Sequence, residues 1–197
     1  MAPNGRGNPD NSLPLAKRNA DLAIEKDPNE PLARAVAALV AIFEKDLDRA
    51  RSEINIALSL NPNFALAHNL FGSVLKFSGE PLAAIPMIER AMRLDPALRP
   101  QYLHFLGMAY LLGRKYETAA ALFKQRIFLV PETDFSRAVL ASALGHLGEV
   151  NEARRIWREL KEINPKYSFR DHFARQPFRH QDVEHVAEGL AKAGLPN

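Results

Sequence analysis

Histidines and carboxylates are where this chain of 197 residues could carry chemistry, and it has six of the former. His172, His180 and His185 fall close together near the C-terminus, beside Asp171, Asp182 and Glu184. A zinc-type site asks for imidazoles at i and i+4 on one helix face, with a third ligand converging on them. His180 and His185 are five residues apart, which is about 140° around a helix of 3.6 residues per turn. The pair therefore points in two directions, and these histidines read as surface or helix-cap residues. No metal, cofactor or catalytic residue is expected. The sequence has no G-x-x-x-x-G-K-[ST] loop, G-x-G-x-x-G fingerprint, H-E-x-x-H or G-x-S-x-G, the arrangements that cradle phosphates, hold zinc or expose a nucleophile. It has no cysteine, which removes disulfides, thiolate metal sites and thiol nucleophiles and fits a reducing, cytoplasmic setting.

A second candidate is basic. Arg154, Arg155, Arg158, Lys161 and Lys166 surround Trp157, but Glu152, Glu159 and Glu162 interleave with them, as on an ordinary solvated helix. The net charge is only +3, from 26 basic and 23 acidic residues. That is too small an excess to drive binding through phosphate neutralisation, so no nucleic-acid partner is expected. No apolar run approaches the ~20 residues of a membrane span, and the start, MAPNGRGNPDNS, lacks the apolar core of a signal peptide.

The elements that would position any site are set by a repeat. Pro28, Pro62, Pro96, Pro131 and Pro165 are spaced 34, 34, 35 and 34 apart. Ala16, Ala50, Ala84, Ala119 and Ala153 keep the same intervals, and Ala38, Gly72, Gly107 and Ala141 share the register. Between these marks the apolar residues recur at three- and four-residue steps, as in Leu66, Leu70, Phe71, Val74 and Leu75, which is helical spacing. Nothing alternates with period two. Gly79, Gly113 and Gly148 are placed to end a first helix with positive φ. A second helix follows each, and proline closes the unit. Gly72 and Gly107 fall where two antiparallel helices must come close. Pro86, inside a second helix, predicts a local kink.

A period near 34 is that of a helix–turn–helix array. The stretches 67–96, 102–131 and 137–165 resemble tetratricopeptide repeats; 31–62 fits less well, with Ala37, Ala38 and Ala41 where larger residues or glycine are common. The fold class expected is all-α: a right-handed superhelix of tetratricopeptide helix pairs with a C-terminal capping helix. The organisation expected is a disordered tail (1–12), a half repeat consisting of a second helix only (13–30), four units (31–64, 65–99, 100–133, 134–165) and a cap (166–197). The half repeat suggests either a piece of a longer array or a short N-terminal cap, and a bare first helix could also pair with a second copy to give a homodimer.

The final stretch, with its QPFR break and VAEGLAKAGLP finish, resembles the C-termini of bacterial class III adenylate cyclases that carry tetratricopeptide repeats. That resemblance spans 13–197. It implies a non-catalytic region following a catalytic domain in a protein of cyclic-nucleotide signalling; none of that domain's metal-binding aspartates has a counterpart here.

In such a fold the first helix of each pair lines the inner wall. Register places Ala35, Leu39, Ile42 and Phe43 there, then Asn69, Ser73, Lys76 and Phe77, then His104, Met108, Leu111 and Leu112, then Phe135, Ala138, Ser142 and His146. The expected function is a protein–protein interaction scaffold with a peptide or protein in this trough. Asn69, Ser73, Lys76, His104, Met108, Ser142 and His146 are the polar or adaptable groups expected to touch the partner. Lys76 is the one basic residue among them, too few for the two-carboxylate clamp that grips chaperone C-termini.

Overall fold

The computed structural model describes residues 9–196, and side chains from residue 12. Helix α1 is Pro9–Lys26. Four pairs follow: α2 (Pro31–Phe43) with α3 (Leu47–Leu60), α4 (Ala65–Ser78) with α5 (Pro81–Leu94), α6 (Arg99–Leu112) with α7 (Tyr116–Leu129), and α8 (Asp134–His146) with α9 (Val150–Ile163). A 3-10 turn, Pro96–Leu98, precedes α6, and the chain ends with α10 (Phe169–Ala174) and α11 (His180–Lys192). No strand occurs among the described residues. Helix α1 starts before the expected half repeat, inside the stretch assigned to a disordered tail; positions 1–8 lie outside the described residues.

Each pair packs within itself, and each second helix packs on the next first helix. The first helices α2, α4, α6 and α8 also touch their successors along the array, and the second helices have no comparable contacts. The first helices therefore form the tighter, inner side of the curve. The alanine ladder explains the close stacking: Ala50, Ala84, Ala119 and Ala153 are fully buried. The two glycines in the small-residue ladder are required. A Cβ on Gly72 would lie 2.6 Å from Ile88 Cγ1, and one on Gly107 would lie 2.5 Å from Phe123 Cε1.

The first helices end alike. In each, the last turn is closed by a residue with positive φ: Lys45 (63°), Gly79 (93°), Arg114 (60°) and Gly148 (77°). The following amide bonds back to the last turn, as Asp46 N to Ala41 O and Lys115 N to Tyr110 O, both within 2.9 Å. This is the Schellman closure. Gly113 was expected to supply the left-handed residue, but its φ is −78° and Arg114 takes the role. The reason is register: 45, 79, 114 and 148 keep the 34, 35, 34 intervals, and position 113 is one short of them. The extra residue of that unit is absorbed where the 3-10 turn hands over to α6. Helix α5 continues through Pro86 to Leu94.

The segment 166–197 packs on the last pair and also runs back along the array. From Tyr167, whose ring meets Trp157, α10 brings Phe173 and His172 against Phe135 of α8. The link 175–179 then carries Phe178 across to Phe77 of α4, with centroids 4.9 Å apart. Helix α11 returns over α6 and α8. The tail thus lies along the inner side of the superhelix. Its crossing with α8 is close: a Cβ on Gly145 would collide with Gly189 O, and one on Gly189 with Ser142 O.

Candidate functional site

The first helices supply the floor of the site and the tail its roof. Asn69, Ser73 and Lys76 project from one face of α4, at i, i+4 and i+7, and His104 and Met108 from one face of α6. All five border one cavity of about 420 Å³. Leu39, Ile42 and Phe43 of α2 close one side, Phe77, Phe105 and Phe135 another, and Gln176, Pro177 and Phe178 lie over it. A second cavity of about 610 Å³, between α1 and α2, shares Leu39 and Phe43 and reaches Arg175. The two residues common to both are partly exposed, Leu39 by 39% and Phe43 by 42%, so a stretch of apolar inner wall is open to solvent.

Lys76 is the unusual member. Its side chain is buried, and its Nζ stands 4.5 Å from the centroid of Phe77, 5.3 Å from Phe178 and 5.4 Å from Phe105. The faces of these rings attract a cation, but burial still lowers its pKa from 10.5 to about 8. Asn69 is almost as buried, and its Oδ1 has no hydrogen-bond donor among the described residues. His104 lies behind them. Its Nδ1 is 3.1 Å from Ser136 Oγ, which also accepts from Arg126 Nε at 3.0 Å. The serine proton is then free to go to Nδ1, which leaves the ring proton on Nε2. Burial, and after it the charges of Lys76 and Arg126, push His104 well below the usual histidine range, so the ring is neutral.

Ser142 and His146, expected beside them, do not line this cavity. Ser142 is fully buried, and its hydroxyl donates to Val186 O of α11 at 2.8 Å. His146 Nε2 bonds His185 O at 2.9 Å. Both are covered because α11 rests on α8. Ala35, Ala138 and Leu111, also placed on the wall, are fully buried core residues.

Two of the three C-terminal histidines depart from the surface reading. His180 is exposed, but His172 stacks on Phe135 at 3.9 Å and His185 is buried. His185 stacks on His146 at 4.5 Å and 23°. Donor atoms of His146, His185 and Glu188 come within 4.8 Å of one another. The Lys192 ammonium already stands there, 2.9 Å from Glu188 Oε1 and 3.3 Å from His146 Nδ1, and the stacked rings face each other instead of aiming lone pairs at a common point. Burial lowers both histidines below their usual value; Lys192 and Arg114 push the same way on His146, as do His146 and Arg114 on His185.

Sequence reasoning missed Leu66 and Leu70 of α4, Phe105 of α6 and every wall residue that comes from the tail. Phe178 packs against both the α2–α4 core and the α6–α9 core. Arg179 makes a bidentate pair with Asp182, at 2.8 and 2.9 Å, and lies on Gly79 at the C-terminal end of α4, where the helix dipole favours a cation. The signal was an aromatic-rich turn with no core of its own.

No family model matches the chain. A DnaJ homolog subfamily C member 7 homolog from Schizosaccharomyces pombe (strain 972 / ATCC 24843) is 42% identical over 59 residues, which is 30% of this chain. The match spans only 12% of that relative's length. Among solved structures, PilW, described as a widely conserved type IV pilus biogenesis factor, superposes with a TM-score of 0.75 at 18% identity, covering 94% of this chain and 83% of its own. PilF of Pseudomonas aeruginosa gives 0.70 at 20% identity, covering 94% and 81%. YrrB, described as a TPR protein with an unusual peptide-binding site, gives 0.62 at 19% identity, covering 88% and 91%. These likenesses establish the fold: an all-α, right-handed superhelix of tetratricopeptide helix pairs. No helix among the described residues is long and apolar enough to cross a membrane.

Proposed function

We propose that this chain is a protein–protein interaction scaffold that takes an apolar segment of a partner on its open inner wall, between α1, α2 and α4. The observation that carries this reading is the pair Leu39 and Phe43, partly exposed and common to two adjoining apolar cavities. Contiguous exposed apolar surface on a rigid concave wall is what a binding groove requires. The peptide-binding site in the description of YrrB, a neighbour of the same fold, supports the same kind of partner. Photo-crosslinking from position 43 in cells is the test, with position 128 on α7 as control because Phe128 is 84% exposed. A specific adduct from position 43 that Leu39→Asp removes is the expected result; equal labelling from both positions rejects the groove.

A narrower context rests on the tail resemblance alone: the chain serves as the non-catalytic C-terminal region of an adenylate cyclase. Cyclic AMP output of a class III catalytic domain, joined to this chain or alone, tests it, and identical output removes the regulatory role. A second mode of partnership is favoured by Leu15 and Leu22 of α1, exposed by 58% and 43% on one stripe. It is self-association through the first helix, which sedimentation across a concentration series detects and a strict monomer rejects.

A further inference from the structure

No carboxylate among the described residues balances the charge of Lys76. Its side chain is 97% removed from solvent, being 3% exposed. Three phenyl rings surround the ammonium but replace only part of the hydration it has lost. A buried charge without a partner is costly.

What lies beside it is space. The cavity of about 420 Å³ is walled by Leu39, Ile42, Phe105, Met108 and Phe135 and roofed by Pro177 and Phe178. That size falls within the range of small-molecule sites. No acidic residue lines it, and its second titratable group, His104 of α6, is neutral; α2 and the tail bring no ionisable group to it. At the opposite end, seven residues back along α4 and about 10 Å away by helical rise, Asn69 Oδ1 is buried without a donor. The cavity has one cationic group, largely apolar walls and neutral polar groups on Asn69, Ser73, His104 and Gln176.

We propose that this cavity is a binding site for a small apolar carboxylate, with its head group on Lys76 and its hydrocarbon body against the phenyl rings. The anion supplies the missing counter-charge, and the body fills space that water wets poorly. A hydroxyl or N–H at the far end of a longer ligand would satisfy Asn69. Leu39 and Phe43 border both this cavity and the wall proposed for a protein segment, so the two occupants adjoin there. The proposal goes beyond the scaffold reading and does not depend on it, so crosslinking that fails at position 43 leaves it standing.

Isothermal titration of the full chain with octanoate, octanol and octylamine at about pH 7 is the test. Octanoate should bind with unit stoichiometry and at least tenfold more tightly than octanol, with octylamine weakest. In Lys76→Met, octanoate and octanol should bind alike. A second measurement needs no variant: octanoate affinity of the natural chain should fall as the pH rises from about 7 to about 9.5, through the titration of Lys76, while octanol affinity holds steady. Equal affinities for acid and alcohol, a preference for octanoate that survives in Lys76→Met, or an apolar peptide acid that binds where octanoate does not would each overturn the proposal.

Discussion

Lys76 and Arg114 are both residues in unfavourable surroundings, for different reasons. The folded pKa of Lys76 is about 8 against 10.5 when exposed, so in that window the unfolded chain holds the proton and the folded chain does not. Stability contributed by this group therefore rises as pH climbs from 8 towards 10.5, and the penalty is present in full below 8. Lys76→Met should raise stability by about 3 kcal/mol at neutral pH, at 1.36 kcal/mol per pKa unit, with the gain shrinking by pH 10 in urea unfolding. Arg114 occupies a left-handed conformation that glycine adopts without steric cost. Arg114→Gly should stabilise by about 0.5–1 kcal/mol, whereas Gly79→Ala should destabilise, since φ is 93° there and a Cβ is strained in that conformation. The two left-handed positions held by lysine and arginine could not be picked out by composition; only the interval from Gly79 to Gly148 points to them.

At the scale of the element, α11 is held by a close crossing and by a pair of neutral rings. Gly189→Val places a branched side chain against Ser142, and overpacking of this kind costs about 1–3 kcal/mol. Hydrogen exchange should then speed up in α11 far more than in α4 and α5. Acid should act on the same contact. His146 and His185 have lowered folded values, so as pH falls below about 6.5 the unfolded or undocked state takes up protons first and stability is lost. Arg114 and Lys192 oppose a second positive charge there, Glu188 favours it, and the Tyr116 hydroxyl stands 3.4 Å from His185 Nε2. Tail protection should decline between about pH 7 and 5, and His146→Gln should blunt that decline. The helical periodicity of α11 shows that Val183, Val186, Ala187 and Leu190 share a face; it says nothing of which helix that face meets. For that reason the tail was legible as a helix and not as a lining of the inner wall.

For the whole molecule, the repeat was legible because each unit must bury the same small residues against its neighbours, which leaves the Ala and Gly ladders in the chain. The cavity was partly legible, since Asn69, Ser73, Lys76, His104 and Met108 keep helical register on two adjacent inner helices. Ser142 and His146 keep the same register and were lost to the cavity only because a segment distant in sequence lies over them. Removal of 166–197 should uncover Ser142, Ala138 and the floor around Phe135. Dye binding to exposed apolar surface should rise, and the melting temperature should fall by several degrees, because Phe173, Val186 and Leu190 leave the core with the tail.

The position of that tail also sets a threshold for anything that approaches the inner wall beyond α4. A tethered rival acts at an effective concentration in the millimolar range, so a partner that needs the space of Phe178 must first outbid a competitor that dilution never removes. Its apparent dissociation constant would be weakened by the fraction of time the rival is seated. Ligands content with the gap by α2, or small enough to slip beneath the proline, are spared that contest.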